Sequence, residues 1–151
     1  MVLSIGSDHA GYHLKKTLME ELDRRGIVYK DEGTYTGEAA DYPAVAEKVA
    51  KAVASGECER GILICGTGIG MSIAANKVHG VRAAVCHDVF SARMTRMHND
   101  ANILCMGERV IGPGLAVDVL NAWLNASFEG GRHQRRVDMM TALEREENGS
   151  Y

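Results

Sequence analysis

Five short, largely apolar runs alternate along the chain with amphipathic stretches, and this alternation constrains the fold more than any other feature of the sequence. Runs of four to six residues bounded by glycine or polar residues are typical of strands buried in a parallel sheet. The predicted strands are residues 2–6, 27–31, 62–65, 81–86 and 103–106, and the helices predicted between and after them are residues 12–25, 43–54, 69–78, 89–98 and 113–126. This order predicts an α/β fold: a doubly wound, Rossmann-like, five-stranded parallel sheet with helices on both faces.

Two adjacent glycines, residues 130–131, separate this unit from a sixth predicted helix at residues 132–146. The apolar stripe of that helix consists of Val137, Met140 and Leu143. Because no strand follows, the helix can dock on its own domain or on a second subunit, and we favour the second subunit. We therefore expect a single domain over residues 1–151 with a C-terminal helical arm at 130–147, and we expect residues 147–151 to fray.

The charge balance and hydropathy of the chain argue against two classes of partner. Its formal net charge of −3 and pI near 6.1 differ from the basic character usual in nucleic-acid-binding domains. No apolar run approaches the roughly 20 residues needed to span a bilayer, and residues 1–6 hold too few apolar residues for a signal peptide. We expect a cytoplasmic protein with no nucleic-acid and no membrane partner.

The four cysteines form no C-x-x-C pair, and in a reducing cytosol we expect four free thiols. Cys86 and Cys105 belong to strand-like runs and are predicted to be small core residues. Cys58 lies in a polar loop and is predicted to be exposed. Cys65 differs from the other three because of the residues that follow it.

Cys65 ends the third predicted strand, and the segment 65–70, Cys-Gly-Thr-Gly-Ile-Gly, leads directly into a helix. The carboxyl edge of an open α/β sheet is where ligands bind. Glycines at that edge let backbone N–H groups approach an anion closely, and a helix N-terminus favours negative charge. The segment therefore offers a potential thiolate beside a cradle for an oxyanion.

Nucleotide-binding motifs are the rival interpretations of this segment. A dinucleotide fingerprint requires G-x-G-x-x-G in the first strand–helix unit, whereas the spacing here is G-x-G-x-G in mid-chain. Asp88 nevertheless stands about 20 residues further on, where a ribose-binding acid would. A Walker A loop is excluded because Gly-Lys-Ser/Thr does not occur. No group of potential ligands has a spacing typical of a metal site.

Polar residues also follow other predicted strands: Asp8 and His9 the first, His87 and Asp88 the fourth, and Arg109 the fifth. The carboxyl ends of parallel strands share one edge of the sheet, so these side chains are expected to converge there. Asp8 is equally well interpreted as a helix N-cap, and His9 as a surface histidine.

Three further candidates lie on helices. His98 ends the fourth predicted helix, where a histidine can simply complement the helix dipole. Arg132 and Arg136 are spaced i, i+4 and share one face at the N-terminus of the last helix. Two cations at that end are unfavourable unless an anion lies between them, which indicates a phosphate site.

Five blocks of this sequence resemble the type B ribose-5-phosphate isomerases, a family that also includes galactose-6-phosphate and allose-6-phosphate isomerases. The blocks occur in the family's order, cover nearly the whole chain and read DHAGYHLK (8–15), DYP (41–43), CGTGIGMSIAANK (65–77), HNDAN (98–102) and EGGRH (129–133). The resemblance implies an aldose–ketose isomerase that acts through an enediolate without a cofactor or metal. It also implies an active site shared between two subunits of a homodimer. Whether two such dimers pair into a tetramer stays open.

The resemblance assigns roles to individual residues. Cys65 would be the base that moves a proton between C1 and C2, and Thr67 would shuttle protons between O1 and O2. His98 would open the furanose ring. One branch of the family instead uses a glutamate at the position of Met71, so this chain resembles the cysteine branch. The remaining residues would bind the substrate. Asp8 and Asn99 would bind its hydroxyls, and its phosphate would be bound by His9, Arg109, Arg132 and Arg136. The enediolate oxygen would accept hydrogen bonds from the amides of Gly66, Thr67, Gly68, Ile69 and Gly70.

Interconversion of ribose 5-phosphate and ribulose 5-phosphate is the favoured function, and two alternatives stay open. The first is isomerisation of a hexose 6-phosphate, such as allose or galactose 6-phosphate, which needs room for one more carbon. The second is a non-catalytic module that binds a sugar phosphate or nucleotide. Cys65, Thr67 and His98 argue against the second alternative, because binding alone needs only the arginines and glycines.

Overall fold

The computed structural model describes residues 1–147 and confirms the predicted alternation of strands and helices. The strands are β1 Val2–Ser7, β2 Val28–Asp31, β3 Arg60–Cys65, β4 Ala83–Val85 and β5 Ile103–Gly107. The helices are α1 Tyr12–Arg24, α2 Tyr42–Ala54, α3 Ile69–Ala75, α4 Val89–Asn99, α5 Pro113–Asn125 and α6 Arg132–Glu147, and a 3₁₀ turn, His9–Gly11, precedes α1.

The five strands form one parallel sheet in the order β2-β1-β3-β5-β4. Ser7 pairs with Ile64 and Cys65 pairs with Gly107, so β1, β3 and β5 end at the same level of one edge. The chain winds outward from β1 in one direction and from β3 in the other. The crevice between the ends of β1 and β3 is therefore the topological switch point, where open α/β sheets bind ligands.

Two apolar layers hold helices on both faces of the sheet, as predicted. On one face α1, α4 and α5 cover β1, β3 and β5, and Trp123 of α5 is fully buried there. On the other face α2 and α3 pack Val49 and Met71 against Leu63 and Cys105. None of the helices described is long and apolar enough to cross a membrane.

The structure corrects two sequence predictions about burial. Cys58 is only 1% exposed, because its N–H donates to the carbonyl of Ala52 at 2.9 Å and draws the polar loop back under the end of α2. Burial raises the pKa of the Cys58 thiol. The apolar spacing of the predicted helix at 113–126 places Leu115 inward with Val119 and Trp123. In the structure Leu115 is instead 47% exposed, since Ala116 takes the inward position in the first turn of α5. The predictions that Cys86 and Cys105 are buried and that all four thiols are free are confirmed.

Helix α3 and strand β4 are each three residues shorter than predicted, and the last helix is slightly longer. Helix α3 ends at Ala75, and β4 consists of three residues. Helix α6 continues through Glu147, whereas residues 148–151 of the predicted frayed tail lie outside the described part of the chain. Val137 of α6 is buried against its own domain, but Met140 and Leu143 are 43% and 62% exposed. The apolar stripe is thus only partly covered within one chain.

A buried lysine ties the loop after β2 to the carboxyl edge of the sheet. Lys15 of α1 is 1% exposed, and its Nζ donates to Asp31 Oδ1 and to the carbonyl of Thr34, both at 2.6 Å. The N–H of Thr34 donates to the carbonyl of Ser7 at 2.6 Å, at the end of β1. This network fixes the start of the loop that leads to α2.

We expect Lys15→Met to lower the free energy of unfolding by about 3 kcal/mol, because it leaves the partly buried Asp31 carboxylate without its cation. Urea denaturation measures the change. Lys16→Met is the matched control, since Lys16 is the exposed neighbour on the same helix, and we expect it to shift stability by no more than about 0.5 kcal/mol. Equal effects of the two substitutions would contradict the assigned role of Lys15.

Candidate active site

Asp8 and Cys65 stand on the two sides of the switch-point crevice. Asp8 Oδ1 accepts from the N–H groups of Ala10 and Gly11 at 3.0 and 3.1 Å, so the carboxylate caps the 3₁₀ turn as one of its two interpretations predicted. A Cβ on Gly11 would lie 2.6 Å from the carbonyl oxygen of Ile64. Glycine at this position therefore lets the turn after β1 lie directly against the end of β3.

The segment after Cys65 folds into a tight cradle. Gly68 adopts φ +79°, a left-handed conformation that favours glycine, and its N–H donates to Cys65 Sγ at 3.1 Å. Thr67 Oγ1 accepts from the N–H of Ile69 at 3.2 Å. Cys65 is 5% exposed and thus held within the crevice wall.

The loop after β5 is hydrogen-bonded to the cradle. The N–H of Glu108 donates to the carbonyl of Cys65 at 2.9 Å, and the N–H of Arg109 donates to the carbonyl of Gly66 at 3.1 Å. A Cβ on Gly66 would lie 3.5 Å from Arg109 Nη1, so the guanidinium lies beside the cradle. Glu108 itself is occupied elsewhere, because its carboxylate accepts from the N–H of Leu14 at 2.6 Å at the start of α1.

Beside Asp8 lies a depression of about 630 Å³ that is lined by residues 8–9, 40–44 and 47. His9 Nδ1 accepts from the N–H of Ala40 at 3.4 Å, which holds its ring at the rim. Tyr42 reaches across to the cradle, since a Cβ on Gly70 would lie 2.8 Å from its ring. No site role was predicted for Tyr42, although the block Asp-Tyr-Pro at 41–43 marked the segment. Tyr42 is thus a functional candidate that only the fold identifies.

The residues predicted on helices lie at the opposite edge of the sheet. Helix α4 starts at the carboxyl end of β4 and must run back to the start of β5, a length of about 16 Å for its 11 residues. His98 and Asn99 at its end are therefore at the amino edge. The N–H of Glu129 donates to the carbonyl of Met97 at 3.0 Å, which brings the start of α6 to the same place.

The structure thus divides the predicted site residues into two groups. One group at the carboxyl edge consists of Asp8, His9, Cys65, Gly66, Thr67, Gly68, Ile69, Gly70 and Arg109. The other group at the amino edge consists of His98, Asn99, Arg132 and Arg136. The two groups are separated within one chain by the length of the sheet, about 13 Å along β5 alone. One chain by itself does not assemble the predicted site.

The amino-edge group is built around two stacked imidazoles. The rings of His98 and His133 lie 4.1 Å apart with an interplanar angle of 8°. Glu129 Oε2 lies 3.4 Å from His133 Nε2 and 3.8 Å from His98 Nε2. Burial, followed by the proximity of His98 and Arg132, lowers the pKa of His133.

His98, Glu129 and His133 also form a group of possible metal ligands, which the sequence spacing did not predict. Their donor atoms all lie within 4.8 Å of one another. An imidazole nitrogen binds a metal in the plane of its ring, so two parallel rings cannot both point at one ion without rotating. Arg132, which precedes His133 on α6, adds a positive charge that would repel a metal cation. The arrangement suits proton transfer and anion binding better than it suits a cation.

Asp88 does not serve as a ribose-binding acid. Its carboxylate accepts from the N–H of Ser91 at 2.6 Å and caps α4, and this hydrogen bond lowers its pKa. The dinucleotide interpretation of the cradle rested on the glycine spacing and on Asp88. The spacing does not match, and the Asp88 carboxylate is engaged in capping α4.

A thiol beside main-chain donors at the switch point of a parallel sheet is an arrangement suited to an α/β enzyme, and comparisons with known proteins identify its family. The chain matches the Ribose/Galactose Isomerase family over residues 3–140 and belongs to that family. It is 51% identical over 146 residues to ribose-5-phosphate isomerase B of Escherichia coli, a match that covers 97% of this chain and 98% of the relative.

Two further relatives extend the comparison. D-erythrulose-4-phosphate isomerase of Pectobacterium atrosepticum is 46% identical, with 96% of each chain covered. The structure of ribose-5-phosphate isomerase B from Clostridium thermocellum superimposes with a TM-score of 0.95 at 55% identity and covers 97% of this chain and 99% of that one. The chain is therefore an isomerase, and the alternative of a non-catalytic binding module is excluded. The cytoplasmic location stays a prediction.

We expect Gly107→Ala to lower kcat at least tenfold, because a Cβ there would lie 2.5 Å from Thr67 Cα and would displace the cradle. Initial rates with a sugar phosphate measure the effect. Gly114→Ala is the control, since no atom lies within 4 Å of the added Cβ. Retention of wild-type kcat by Gly107→Ala would show that the position of Thr67 does not matter for turnover.

Proposed function

We propose that this protein interconverts ribose 5-phosphate and ribulose 5-phosphate, with Cys65 as the base that moves the proton between C2 and C1. The observation that carries the proposal is the hydrogen bond from Gly68 N–H to Cys65 Sγ at 3.1 Å, inside a loop of backbone donors at the switch point. The high identity to named ribose-5-phosphate isomerases supports the choice of substrate.

The reaction needs ring opening, proton transfer from C2 to C1 and proton transfer from O2 to O1. We assign the two proton transfers to the carboxyl-edge group and ring opening to the amino-edge group. Starting from the open-chain aldose, the Cys65 thiolate takes the proton from C2, and the electron pair moves onto the carbonyl oxygen O1 to give an enediolate. The proton returns from sulfur to C1 while Thr67 relays the O2 proton towards O1, which leaves a ketone at C2. Each amide of the cradle that donates a hydrogen bond to the developing oxyanion typically lowers the activation free energy by on the order of 3 kcal/mol.

The separation of the two groups supports a site shared between two copies of the chain. His98, Asn99, Arg132 and Arg136 reach Cys65 only if a second copy presents its amino edge to the first copy's carboxyl edge. In that arrangement His98 of the second copy opens the sugar ring, and the arginines of the second copy complete a phosphate site with His9 and Arg109. A phosphate held far from the reacting carbons supplies binding energy that fixes their position.

A surface suited to a second copy lies beside the amino-edge group. A groove of about 690 Å³ runs between α3, β4, α4 and α6 and is lined by Asn99 together with Met140 and Leu143. These last two residues are the exposed part of the apolar stripe on α6. We propose that the partner covers this stripe, so that the C-terminal arm contributes to a homodimer; further pairing into a tetramer is compatible with it.

The named relatives differ in the number of carbons in their sugar substrate, so the preferred chain length has to be tested for this protein. The Pectobacterium relative is named for a four-carbon phosphate and the family name includes galactose, so tetrose and hexose phosphates are the competing substrates. Side-by-side assays on erythrulose 4-phosphate, ribose 5-phosphate, allose 6-phosphate and galactose 6-phosphate rank them by kcat/KM. A preference for any sugar other than ribose 5-phosphate would replace the proposed substrate while keeping the reaction type.

We expect Cys65→Ala to abolish turnover while leaving the Kd for ribose 5-phosphate within about threefold of wild type, because the phosphate contacts remain. Coupled assays measure turnover and isothermal titration calorimetry measures binding. Arg136→Ala is the complementary variant and should raise KM. Near-normal turnover in Cys65→Ala would refute the assigned base, and an unchanged KM in Arg136→Ala would remove that residue from the phosphate site.

The shared site predicts complementation between inactive subunits. Cys65→Ala and His98→Asn are each inactive as homodimers, but a mixed dimer has one site with both native residues. Co-expressed at equal levels, the two variants should yield about a quarter of wild-type activity, since half the dimers are mixed and half their sites are intact. Absence of recovered activity in purified mixed dimers would place both residues of each site on one chain.

A further inference from the structure

His87 makes a hydrogen bond that the proposed reaction does not use directly. It follows the edge strand β4 and is half-buried at the carboxyl edge of the sheet. Its Nε2 accepts from the N–H of Gly107 at 2.8 Å, the last residue of β5. Neither the predicted site nor the resemblance assigned His87 a role, although it stands among the polar residues at the strand ends.

The imidazole replaces a missing strand partner. The pairing of β4 with β5 ends at Val85 and Cys105, and only the N–H of Cys86 continues it, donating to the carbonyl of Cys105 at 3.1 Å. Beyond that point β4 turns away into the cap of α4, whereas β5 extends two residues further. The ring of His87 supplies the acceptor that the N–H of Gly107 would otherwise lack.

Gly107 packs directly against the cradle. It pairs with Cys65 in the sheet, and its backbone is so close to Thr67 that a Cβ would lie 2.5 Å from Thr67 Cα. The two residues after Gly107 hold the carbonyls of Cys65 and Gly66 by their N–H groups. Any displacement of Gly107 is therefore transmitted to the thiol and to the amides beside it.

We propose that His87 is a positioning residue that holds Gly107, and through it the cradle of residues 65–70, in the geometry required for proton transfer, and that it does so only as a neutral imidazole with Nε2 unprotonated. A protonated Nε2 is a donor and would face the Gly107 N–H donor, so protonation converts the contact from attraction to repulsion. The inference rests on the proposed function for its kinetic consequences but not for the hydrogen bond itself.

The surroundings of His87 favour its neutral form. Burial lowers its pKa, although the adjacent Asp88 carboxylate, which caps α4, opposes this effect. Beside β4 and β5, burial also raises the pKa of Cys86, to about 11, and that of Cys105, so these thiols add no charge near neutrality. Glu108 and Arg109 follow Gly107, and Glu108 is engaged with the start of α1.

Two substitutions separate the acceptor from the rest of the side chain. His87→Leu fills the same space without an acceptor, and we expect kcat to fall about tenfold while KM changes less than about twofold, because the lost contact is to the main chain of Gly107 and not to a phosphate-binding side chain. His87→Gln places an amide oxygen near the position of Nε2 and should retain kcat within about threefold. In wild type, activity should fall as pH drops through the lowered pKa of His87, and this part of the acid limb should be missing in His87→Gln.

Nuclear magnetic resonance tests the hydrogen bond without reference to activity. In uniformly ¹⁵N-labelled wild-type protein at pH 7.5 we expect His87 as the Nδ1–H tautomer, and the Gly107 amide proton should move upfield in His87→Leu but not in His87→Gln. An Nε2–H tautomer, or wild-type kcat in a folded His87→Leu protein, would overturn the inference. Inactivity of the wild-type protein towards every sugar phosphate would instead overturn the proposed function, and the tautomer would still decide the role of His87.

Discussion

The pairing of β3 with β5 is the interaction on which the rest of the site depends. It places Cys65 opposite Gly107, and it continues beyond the strands as hydrogen bonds from residues 108 and 109 to the carbonyls of residues 65 and 66. Two loops that would each be mobile alone are thus joined into one rigid edge. Glycine is required where they meet, because a Cβ on Gly68 would lie 2.8 Å from the carbonyl carbon of Met106 and a Cβ on Gly107 would lie 2.5 Å from Thr67 Cα. Preorganised donors of this kind need no rearrangement when charge develops on a substrate.

The same parallel topology that builds this edge forces the separation of the candidate site. Every helix that connects two parallel strands must run from the carboxyl edge back to the amino edge. Side chains at helix ends, such as His98, are therefore carried away from side chains at strand ends, such as Cys65. In the proposed dimer, acid–base groups at the C-terminal ends of these helices reach the cradle of the other copy. The exposed apolar residues of α6, beside that same helix end, are consistent with this solution.

Periodicity in the sequence was sufficient for the order of the elements, and local motifs were sufficient for the composition of the cradle. The resemblance implied a shared site, but which residues fall in each of the two groups was not predicted, because that depends on which edge each element reaches rather than on residue type. The predicted burial of Leu115 and exposure of Cys58 were wrong for a related reason: a helix register and a main-chain bond to Ala52 overrode the local pattern. The bond from His87 to Gly107 joins residues 20 positions apart on neighbouring strands, and no local pattern signals it.

The polar side chains at the carboxyl edge are mostly committed to the protein itself. Asp8 and Asp88 cap helical segments, Glu108 binds the start of α1, and His87 binds Gly107. The guanidinium of Arg109 lies beside the cradle. In the proposed dimer, main-chain amides of one copy and arginines of the second copy recognise the phosphorylated sugar. A chain with a net negative charge can bind an anion in this way, because its positive charge is concentrated where the two copies are proposed to meet.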